Sequence, residues 1–219
     1  MHTLSEENYL KAIYRLAQGP NEKITPTAIA ESLGNNPASV IDMLKKLTEK
    51  QLIHYDKSRG ARLTDRGAQA ALEVVRKHRL WEVFLQEKLG YGWDEVHDIA
   101  EELEHIHHPD LAERLARYLG YPDYDPHGDP IPDAKGRMAS LHRITLSELG
   151  DGRTCRVMAV RDASSAFLQY LQKLDIGIGT RLKVVEKIGF DGSLVLQVGK
   201  GHPVTVSEKF ADGLLVKTE

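Results

Sequence analysis

The stretch TPTAIAESLGNNPASVIDMLKKLTEKQLIHYDKSRGARLT, residues 25–64, decides how the first part of this chain folds. Thr25 and Asn36 each precede a proline, and a capping residue followed by proline is a helix start because proline's missing N–H is unpaired in the first turn anyway. The pattern predicts a short helix that stops at Gly34 and a second helix that runs to about Lys50. The second helix would direct four apolar side chains inward: Val40, Met43, Leu44 and Leu47.

The same stretch closes with a predicted two-stranded wing. Residues 52–55 and 61–63 are short β-type runs around the turn 56–60, whose tip is basic. Upstream, apolar residues at helical spacing predict a helix over 5–18 with Ser5 as its N-cap. Helix, short helix, tight turn, helix and wing indicate a winged helix-turn-helix over residues 1–64, rather than a generic small α/β bundle.

Composition places the chain among globular proteins of two or three small domains. It has 219 residues, of which 41% are hydrophobic. No apolar run approaches the roughly 20 residues that cross a bilayer, and the polar N-terminus lacks the features of a secretory signal. We therefore expect a cytoplasmic protein with no membrane partner. Cys155 is the only cysteine, so neither an intrachain disulfide nor a thiolate cluster is expected, and it should be a buried, inert thiol.

The net charge of −3 is unevenly distributed along the chain. Residues 1–64 carry 9 Lys/Arg and 7 Asp/Glu, residues 65–121 carry 7 and 12, and residues 122–219 carry 13 and 13. An acidic middle segment suits cations, and a mildly basic first segment suits polyanions.

The remaining chain divides by composition. Helices are expected over 65–89 and 94–107, and a third from His108-Pro109 to Gly120. A proline-rich linker follows over 122–140. Residues 141–219 contain β-type runs at 156–160, 181–186, 194–198 and 214–217, with one helix at about 164–174, which predicts a small β-barrel. The fold class is thus mainly α with a β C-terminal domain.

The predicted 94–107 helix carries the most informative side chains. Two imidazoles and two carboxylates are spaced i, i+4, i+7 and i+8 and would share one face: His97, Glu101, Glu104 and His105. The preceding helix offers His78 and Glu82 at i and i+4. Two helices joined by a short connection lie side by side, so six nitrogen and oxygen donors could converge.

A divalent cation would relieve the repulsion and the burial cost of such clustered carboxylates. At about 1.5 Å of rise per residue, His97 lies about two turns from His105, which favours two neighbouring ions over one. The alternative is a solvated charged face with incidental histidines. The Glu-x-x-His of di-iron bundles also occurs here, but on one helix where two are needed.

These motifs, in this order, resemble the diphtheria toxin repressor family in its three-domain form, with an SH3-like, FeoA-type C-terminal domain. The resemblance covers essentially the whole chain and is carried by residues 36–47, 59–64, 76–82, 96–105 and 126–132. Glu101 stands where iron-sensing relatives have cysteine, and hard carboxylate oxygen suits manganese better than thiolate does. The manganese-sensing branch is therefore the closer resemblance.

The resemblance implies two metal sites in each subunit. The primary site would use Asn8, Glu101, Glu104 and His105, and the ancillary site His78, Glu82 and His97. Asp162 of the SH3-like domain is the candidate for a further ancillary ligand, with Ser165 weaker. Short manganese sensors have carboxylates at the positions of Asn8 and Lys11, so separate sites fit this chain better than a closely spaced pair of ions.

The family's function is the resulting expectation: a homodimeric Mn(II)-activated repressor of metal uptake genes on a palindromic double-stranded operator, not an enzyme. Metal binding would act through Asn8 to fix the winged domain, and helices of 65–120 would form the dimer surface. Alternatives are an Fe(II)-dependent repressor, a small-molecule-binding winged-helix regulator and, more distantly, a metal-dependent hydrolase, for which no general base or nucleophile motif is visible. The expected DNA contacts are Pro37, Ala38 and Ser39 to bases, and Lys45, Lys46, Lys57, Arg59 and Arg62 to phosphates.

Overall fold

A computed structural model describes residues 2–19, 23–139 and 143–219 of the chain. Two compact units are present. The first comprises Met1–His78, Glu102–Glu113 and Pro132–Arg137, and the second Arg79–Glu101, Arg114–Ile131 and Met138–Glu219. The expected boundary between linker and C-terminal domain, at residues 140 and 141, lies outside the described residues.

The first unit contains the predicted winged helix-turn-helix. Thr25 and Asn36 cap their helices by accepting the N–H of Ala28 and Ala38, and Gly34 ends the first of these helices at φ +63°. Local capping signals therefore define both ends of the turn. The elements are α1 (Leu4–Ala17), α2 (Pro26–Leu33), α3 (Pro37–Glu49) and the antiparallel pair β1 (Ile53–Asp56) and β2 (Gly60–Leu63).

Helix α1 begins two residues earlier than the Ser5 cap predicts. The Thr3 hydroxyl accepts the Glu6 N–H at 3.3 Å, and the Glu6 carboxylate accepts the Thr3 N–H at 3.2 Å. This reciprocal capping box satisfies two backbone donors, whereas a Ser5 cap would leave Glu6 without its backbone partner. Ser5 is therefore a residue of the first turn.

The core of this winged unit is made by the apolar faces of its three helices. Met43, predicted to point inward, lies partly buried at its margin. The remaining inward predictions for α3 are fully buried: Val40, Leu44 and Leu47.

Three further helices follow: α4 (Asp65–Leu89), which contributes to both units, α5 (Val96–Leu103) and α6 (Leu111–Tyr118). The prediction of a helix over 94–107 is wrong at its C-terminal end, because α5 ends at Leu103, and Glu104 and His105 lie in the turn that follows. The helix cannot continue into Pro109, since the residue before a proline disfavours the α conformation. The third helix likewise starts at Leu111 rather than at 108. None of the described helices is both long and apolar enough to cross a membrane.

The second unit contains six strands: β3 (Ile144–Thr145), β4 (Thr154–Val160), β5 (Arg181–Lys187), β6 (Leu194–Val198), β7 (Val204–Val206) and β8 (Leu214–Thr218). They form one antiparallel sheet in the order β3-β8-β4-β5-β6-β7. All four predicted strands are confirmed, and the short β3 and β7 were missed because two or three residues carry too little alternation. Cys155 lies in β4 and is fully buried, which raises the pKa of its thiol to about 11. The sheet is accompanied by a 3₁₀ turn (Leu146–Glu148) and two helices, α7 (Ser165–Lys173) and α8 (Glu208–Asp212).

Candidate metal centres

One group of polar and ionisable side chains lies within the first unit, where α1 meets the turn after α5. We call it the Glu104 cluster, and it consists of Glu7, Asn8, Lys11, His78, Glu104 and His105. Glu7, Asn8 and Lys11 come from the first turns of α1, whose start is fixed by the Thr3 cap. Tertiary packing thus adds α1 residues to donors that are distant in sequence.

Glu104 is fully buried and is held by two neighbours. The Lys11 ammonium lies 2.6 and 2.8 Å from its two carboxylate oxygens, and His78 Nδ1 lies 2.6 Å from Oε2. The Lys11 ammonium therefore offsets part of the free-energy cost of burying the Glu104 carboxylate. Sequence reasoning noted only that Lys11 stands where short manganese sensors have a carboxylate, and it did not predict this ion pair.

His105 is oriented by a residue that sequence reasoning missed. Its Nδ1 lies 2.7 Å from a carboxylate oxygen of the buried Glu7, so Nδ1–H donates to Glu7. The other ring nitrogen, Nε2, lies 3.5 Å from Glu104 Oε1. A carboxylate that fixes the tautomer of an imidazole is the usual partner of a metal-binding histidine.

Asn8 carries the clearest sign of an incomplete site. Its side-chain oxygen is buried, and no donor among the residues that the structure describes forms a hydrogen bond with it. Buried polar oxygens are normally paired, because an unpaired one forfeits its hydration. Asn8 lies one turn from Lys11 on the same face of α1. An oxygen left in this state fits a cation ligand, which is the role that the family resemblance implies for Asn8.

A second group, the Glu82 cluster, lies within the second unit and consists of Glu82, His97, Glu101, Asp125 and His127. Donor atoms of Glu82, Asp125 and His127 all lie within 4.8 Å of one another, and all three residues are buried. His97 Nδ1 lies 3.2 Å from Glu82 and its Nε2 lies 3.6 Å from Glu101. The pairing of Glu82 with His97 follows the sequence prediction, whereas Asp125 and His127 are additions.

The two additions come from the predicted linker, which forms a tight turn although its described residues, 122–139, contain no helix or strand. Asp125 accepts the N–H of His127 and of Asp129, each at 2.9 Å. Gly128, at φ +84°, lets this turn approach β4 closely, since a Cβ there would lie 2.1 Å from the Met158 carbonyl oxygen. The sequence signal was Asp125-Pro126-His127-Gly128-Asp129, which was interpreted as a linker and, from residue 126 on, as part of the family resemblance, but not as a source of ligands.

His127 has the geometry of a preorganised ligand. Its Nε2–H donates to the Trp93 carbonyl at 2.7 Å, and its Nδ1 lies 3.5 Å from a Glu82 oxygen. A ring whose far nitrogen is held by a backbone carbonyl presents the other nitrogen in a fixed direction. Together with two carboxylates, this nitrogen makes a hard donor set for a divalent cation.

The pKa values in the Glu82 cluster report crowded negative charge. Burial, followed by repulsion from Glu82 and Asp129, raises the pKa of Asp125 to about 7, against the attraction of Arg79. Burial lowers the pKa of His127, but hydrogen bonding and attraction to Glu82 outweigh it, and the pKa rises to about 9. Without an ion, protons therefore balance part of this cluster's charge.

Asp162 is exposed, and the structure does not bring it into the Glu82 cluster. Its carboxylate accepts the Ser164 N–H at 2.9 Å, which shapes the loop before α7. The Ser165 hydroxyl donates to the Asp94 carbonyl at 3.0 Å. Asp162 nevertheless follows β4 closely, and β4 ends at Val160, whose N–H donates to the His127 carbonyl. Its role as a ligand stays a prediction.

The predicted DNA contacts lie in the first unit, on α3 and on the wing. All of them are exposed: Pro37, Ala38, Ser39, Lys45, Lys46, Lys57, Arg59 and Arg62. Lys46 differs, because its ammonium lies 3.0 Å from a carboxylate oxygen of the buried Glu6. Burial raises the pKa of Glu6, but bonds from Lys50, Lys46 and the Thr3 N–H outweigh burial and lower it to about 2.

Comparison with known proteins covers the chain from end to end. Residues 1–61 match the family described as "Iron dependent repressor, N-terminal DNA binding domain", residues 64–133 match "Iron dependent repressor, metal binding and dimerisation domain", and residues 144–218 match "FeoA domain". The chain is 36% identical over 223 residues to the iron-dependent repressor IdeR of Mycobacterium tuberculosis, with 96% of each chain covered. It is 30% identical over 195 residues to the diphtheria toxin repressor of Corynebacterium glutamicum, with 84% of each covered.

Among solved structures, a manganese-dependent transcriptional repressor in complex with manganese superposes with a TM-score of 0.90. It shares 35% sequence identity, and the superposition covers 98% of this chain and 100% of that one. The predicted fold class is confirmed, and these relatives are repressors rather than enzymes, which removes the hydrolase alternative. The chain therefore belongs to the diphtheria toxin repressor family of iron-dependent repressors and is a metal-dependent, DNA-binding transcriptional repressor.

Proposed function

We propose that Mn(II) is the activating ion and that the repressed genes serve metal uptake. The observation that carries this proposal is the chemistry of the donors, because both clusters offer only oxygen and nitrogen. The sequence has one cysteine, Cys155. Its thiol is buried in β4, and burial raises its pKa. Oxygen-rich donor sets favour manganese over ions that prefer thiolate. Fe(II) is the second candidate, favoured by the identity with an iron-dependent repressor.

The first ion would be held by the Glu104 cluster. Asn8 would contribute its unpaired amide oxygen, Glu104 a carboxylate oxygen and His105 its Nε2, with Glu7 orienting the ring. Bound there, a cation would supply ligand bonds between α1 and the turn after α5. Glu101, which the resemblance adds to this site, stays a prediction from the sequence.

The second ion would be held by the Glu82 cluster. Glu82 and His97 were predicted for the ancillary site, and the close approach of Asp125 and His127 to Glu82 supports adding both. His78 is assigned here by the resemblance, and its Nδ1 lies on Glu104. Its assignment to this site stays a prediction, as does that of Asp162. Two ions per subunit result.

Binding of palindromic double-stranded DNA by a homodimer completes the proposal. The exposed start of α3 would enter the major groove, and two such helices would lie about 34–36 Å apart on the operator. Large apolar side chains exposed in the second unit support a protein interface there: Leu89, Tyr118 and Tyr121. A repressor of chromosomal genes would act in the cytoplasm.

The test is DNA-binding anisotropy across a metal series, with elemental analysis of the loaded protein. The probe is a duplex selected from random DNA by the manganese-loaded repressor. Saturating Mn(II) should raise DNA affinity roughly 5–150-fold, the usual span of allosteric coupling. Stronger activation by Fe(II) under anaerobic conditions would replace manganese with iron.

Glu104→Gln and Glu102→Gln make a matched pair for the site itself. Glu104 is buried in the cluster, whereas Glu102 is exposed on the neighbouring stretch. We expect the first variant to lose manganese activation and the second to retain it. Normal activation of the Glu104 variant would refute the assignment of the first ion.

A further inference from the structure

Glu6 is a buried carboxylate that the metal sites do not use. It is fully buried on the first turn of α1, and one of its oxygens lies 3.0 Å from the Lys46 ammonium and 2.7 Å from that of Lys50. Its other oxygen accepts the Thr3 N–H. Both lysines belong to the C-terminal end of the DNA-reading helix α3, so Glu6 ties the start of α1 to the end of α3.

The neighbouring residues of α1 face a different partner. Glu7 holds His105, and Lys11, one turn later, holds Glu104. Consecutive helix residues point about 100° apart, so Glu6 and Glu7 reach different elements from adjacent positions. One turn of one helix therefore contacts both the DNA-reading helix and the metal-binding segment, all within the first unit.

We propose that Glu6 is the positioning residue that transmits metal binding to α3, by holding its end through Lys46 and Lys50. The proposal rests on the proposed metal activation. It also reassigns Lys46, which was predicted to contact phosphate. The Lys46 and Lys50 side chains keep 48% and 42% of their surface exposed, but both ammonium groups are directed onto a carboxylate that has no solvent exposure. A shift of α1 would consequently move the end of α3 with it.

The first experiment uses Glu6→Gln in the full-length protein. Manganese stoichiometry and affinity, measured by elemental analysis and chelator competition, should stay within twofold of wild type, since Glu6 is directed away from Glu104. The manganese-induced gain in DNA affinity should be largely lost, so that affinities with and without manganese differ by less than twofold. A gain equal to that of wild type would overturn the proposal. Absence of any gain in wild type would refute the proposed function instead.

Lys46 provides a second measurement that a merely structural role would not move. A lysine that contacts phosphate contributes about 0.9 to the slope of log affinity against log salt. Lys46→Gln should leave that slope unchanged in the manganese-free state and reduce the manganese-induced gain, and Lys46→Arg should restore the gain. A slope reduced by about one in both metal states would show that Lys46 binds phosphate, and would overturn the reassignment.

Lys45→Gln is the matched control. Lys45 precedes Lys46 on α3, but its ammonium pairs with the exposed Asp42 at 3.0 Å. If Lys45 contacts phosphate as predicted, its loss should weaken DNA binding in both metal states, reduce the salt slope by about one and leave the manganese-induced gain intact. An equal loss of the gain in the Lys45 and Lys46 variants would contradict a specific role for Glu6.

Discussion

The Glu104 cluster and the Glu82 cluster balance their negative charge in different ways. In the first, a buried ammonium, that of Lys11, lies on both oxygens of Glu104. In the second, Arg79 lies 3.4 Å from Asp125 but several acids remain, and the raised pKa values of Asp125 and His127 show that protons supply the balance. We therefore expect the Lys11 ammonium to keep the first cluster intact without metal, and the second cluster to exchange protons for metal.

This difference predicts distinct behaviour on metal binding. In the Glu104 cluster, an incoming ion has to compete with a tethered ammonium for Glu104, and it gains the unpaired oxygen of Asn8. In the Glu82 cluster, it has to displace protons, so affinity should fall at acidic pH. The first site should therefore respond to changes of the lysine, and the second to changes of pH.

The largest expected effect is that of Lys11→Met on the metal-free protein. Removal of one partner of a buried ion pair costs about 3–5 kcal/mol when the other charge stays buried and unpaired. Because His78 stays on Glu104, we expect a loss near the lower end of this range. Urea unfolding in the presence of a chelator measures this loss, and Mn(II) should recover part of it by replacing the ammonium. Lys45→Met, which breaks an exposed pair with Asp42, should cost at most about 1 kcal/mol. Equal losses in the two variants would remove the contrast between the clusters.

The next effect is a pH dependence that belongs to the Glu82 cluster. Asp125 has a pKa of about 7 in the fold against 3.8 ordinarily, and His127 about 9 against 6.5. The folded state thus holds more protons than the unfolded state, so stability falls as pH rises from about 4 to about 9. The slope for one full proton is about 1.4 kcal/mol per pH unit.

Asp125→Asn should flatten this fall between about pH 4 and 7, because the titrating carboxylate is gone while an acceptor oxygen remains. Unfolding of the metal-free protein at several pH values measures it. Asp123→Asn, an exposed change in the same segment, is the control and should follow the wild-type profile. A wild-type stability that rises with pH over this window would contradict the charge balance inferred here.

A smaller effect is expected from Asn8→Leu, which replaces the unpaired oxygen by an apolar group of similar size. The metal-free protein should gain about 1–3 kcal/mol, the usual cost of an unsatisfied buried polar group. Manganese affinity at the first site should fall, as chelator competition would show. Asn8→Asp should do the opposite in both respects. Loss of stability in the leucine variant would mean that the oxygen already has a partner.

The smallest effect is that of Asp162→Asn on the second ion, where about tenfold weaker binding, or 1.4 kcal/mol, is expected. Asparagine keeps the acceptor for the Ser164 N–H, so the loop before α7 should persist. Asp191→Asn is the control, because Asp191 accepts the Ser193 N–H in a similar turn. Unchanged metal affinity in the Asp162 variant would remove the C-terminal domain from the ancillary site.

Local signals explain what sequence reasoning found. The caps Thr25 and Asn36 and the stop at Gly34 act over one or two turns, and they defined the winged helix-turn-helix correctly. The apparent stripe from His97 to His105 did not form, because α5 ends at Leu103. Helical spacing singled out these side chains but did not predict their geometry.

By itself, the sequence determined the winged domain, the family and the hard, sulfur-free character of the donors, since these depend on short-range backbone preferences and on residue identity. Only the tertiary structure decided which donors meet. Lys11 and Glu104 are 93 residues apart, and Asp125 and His127 reach Glu82 through a turn packed on β4. Such contacts depend on how whole elements pack, because a side chain's partner across the fold has no signature in its local spacing.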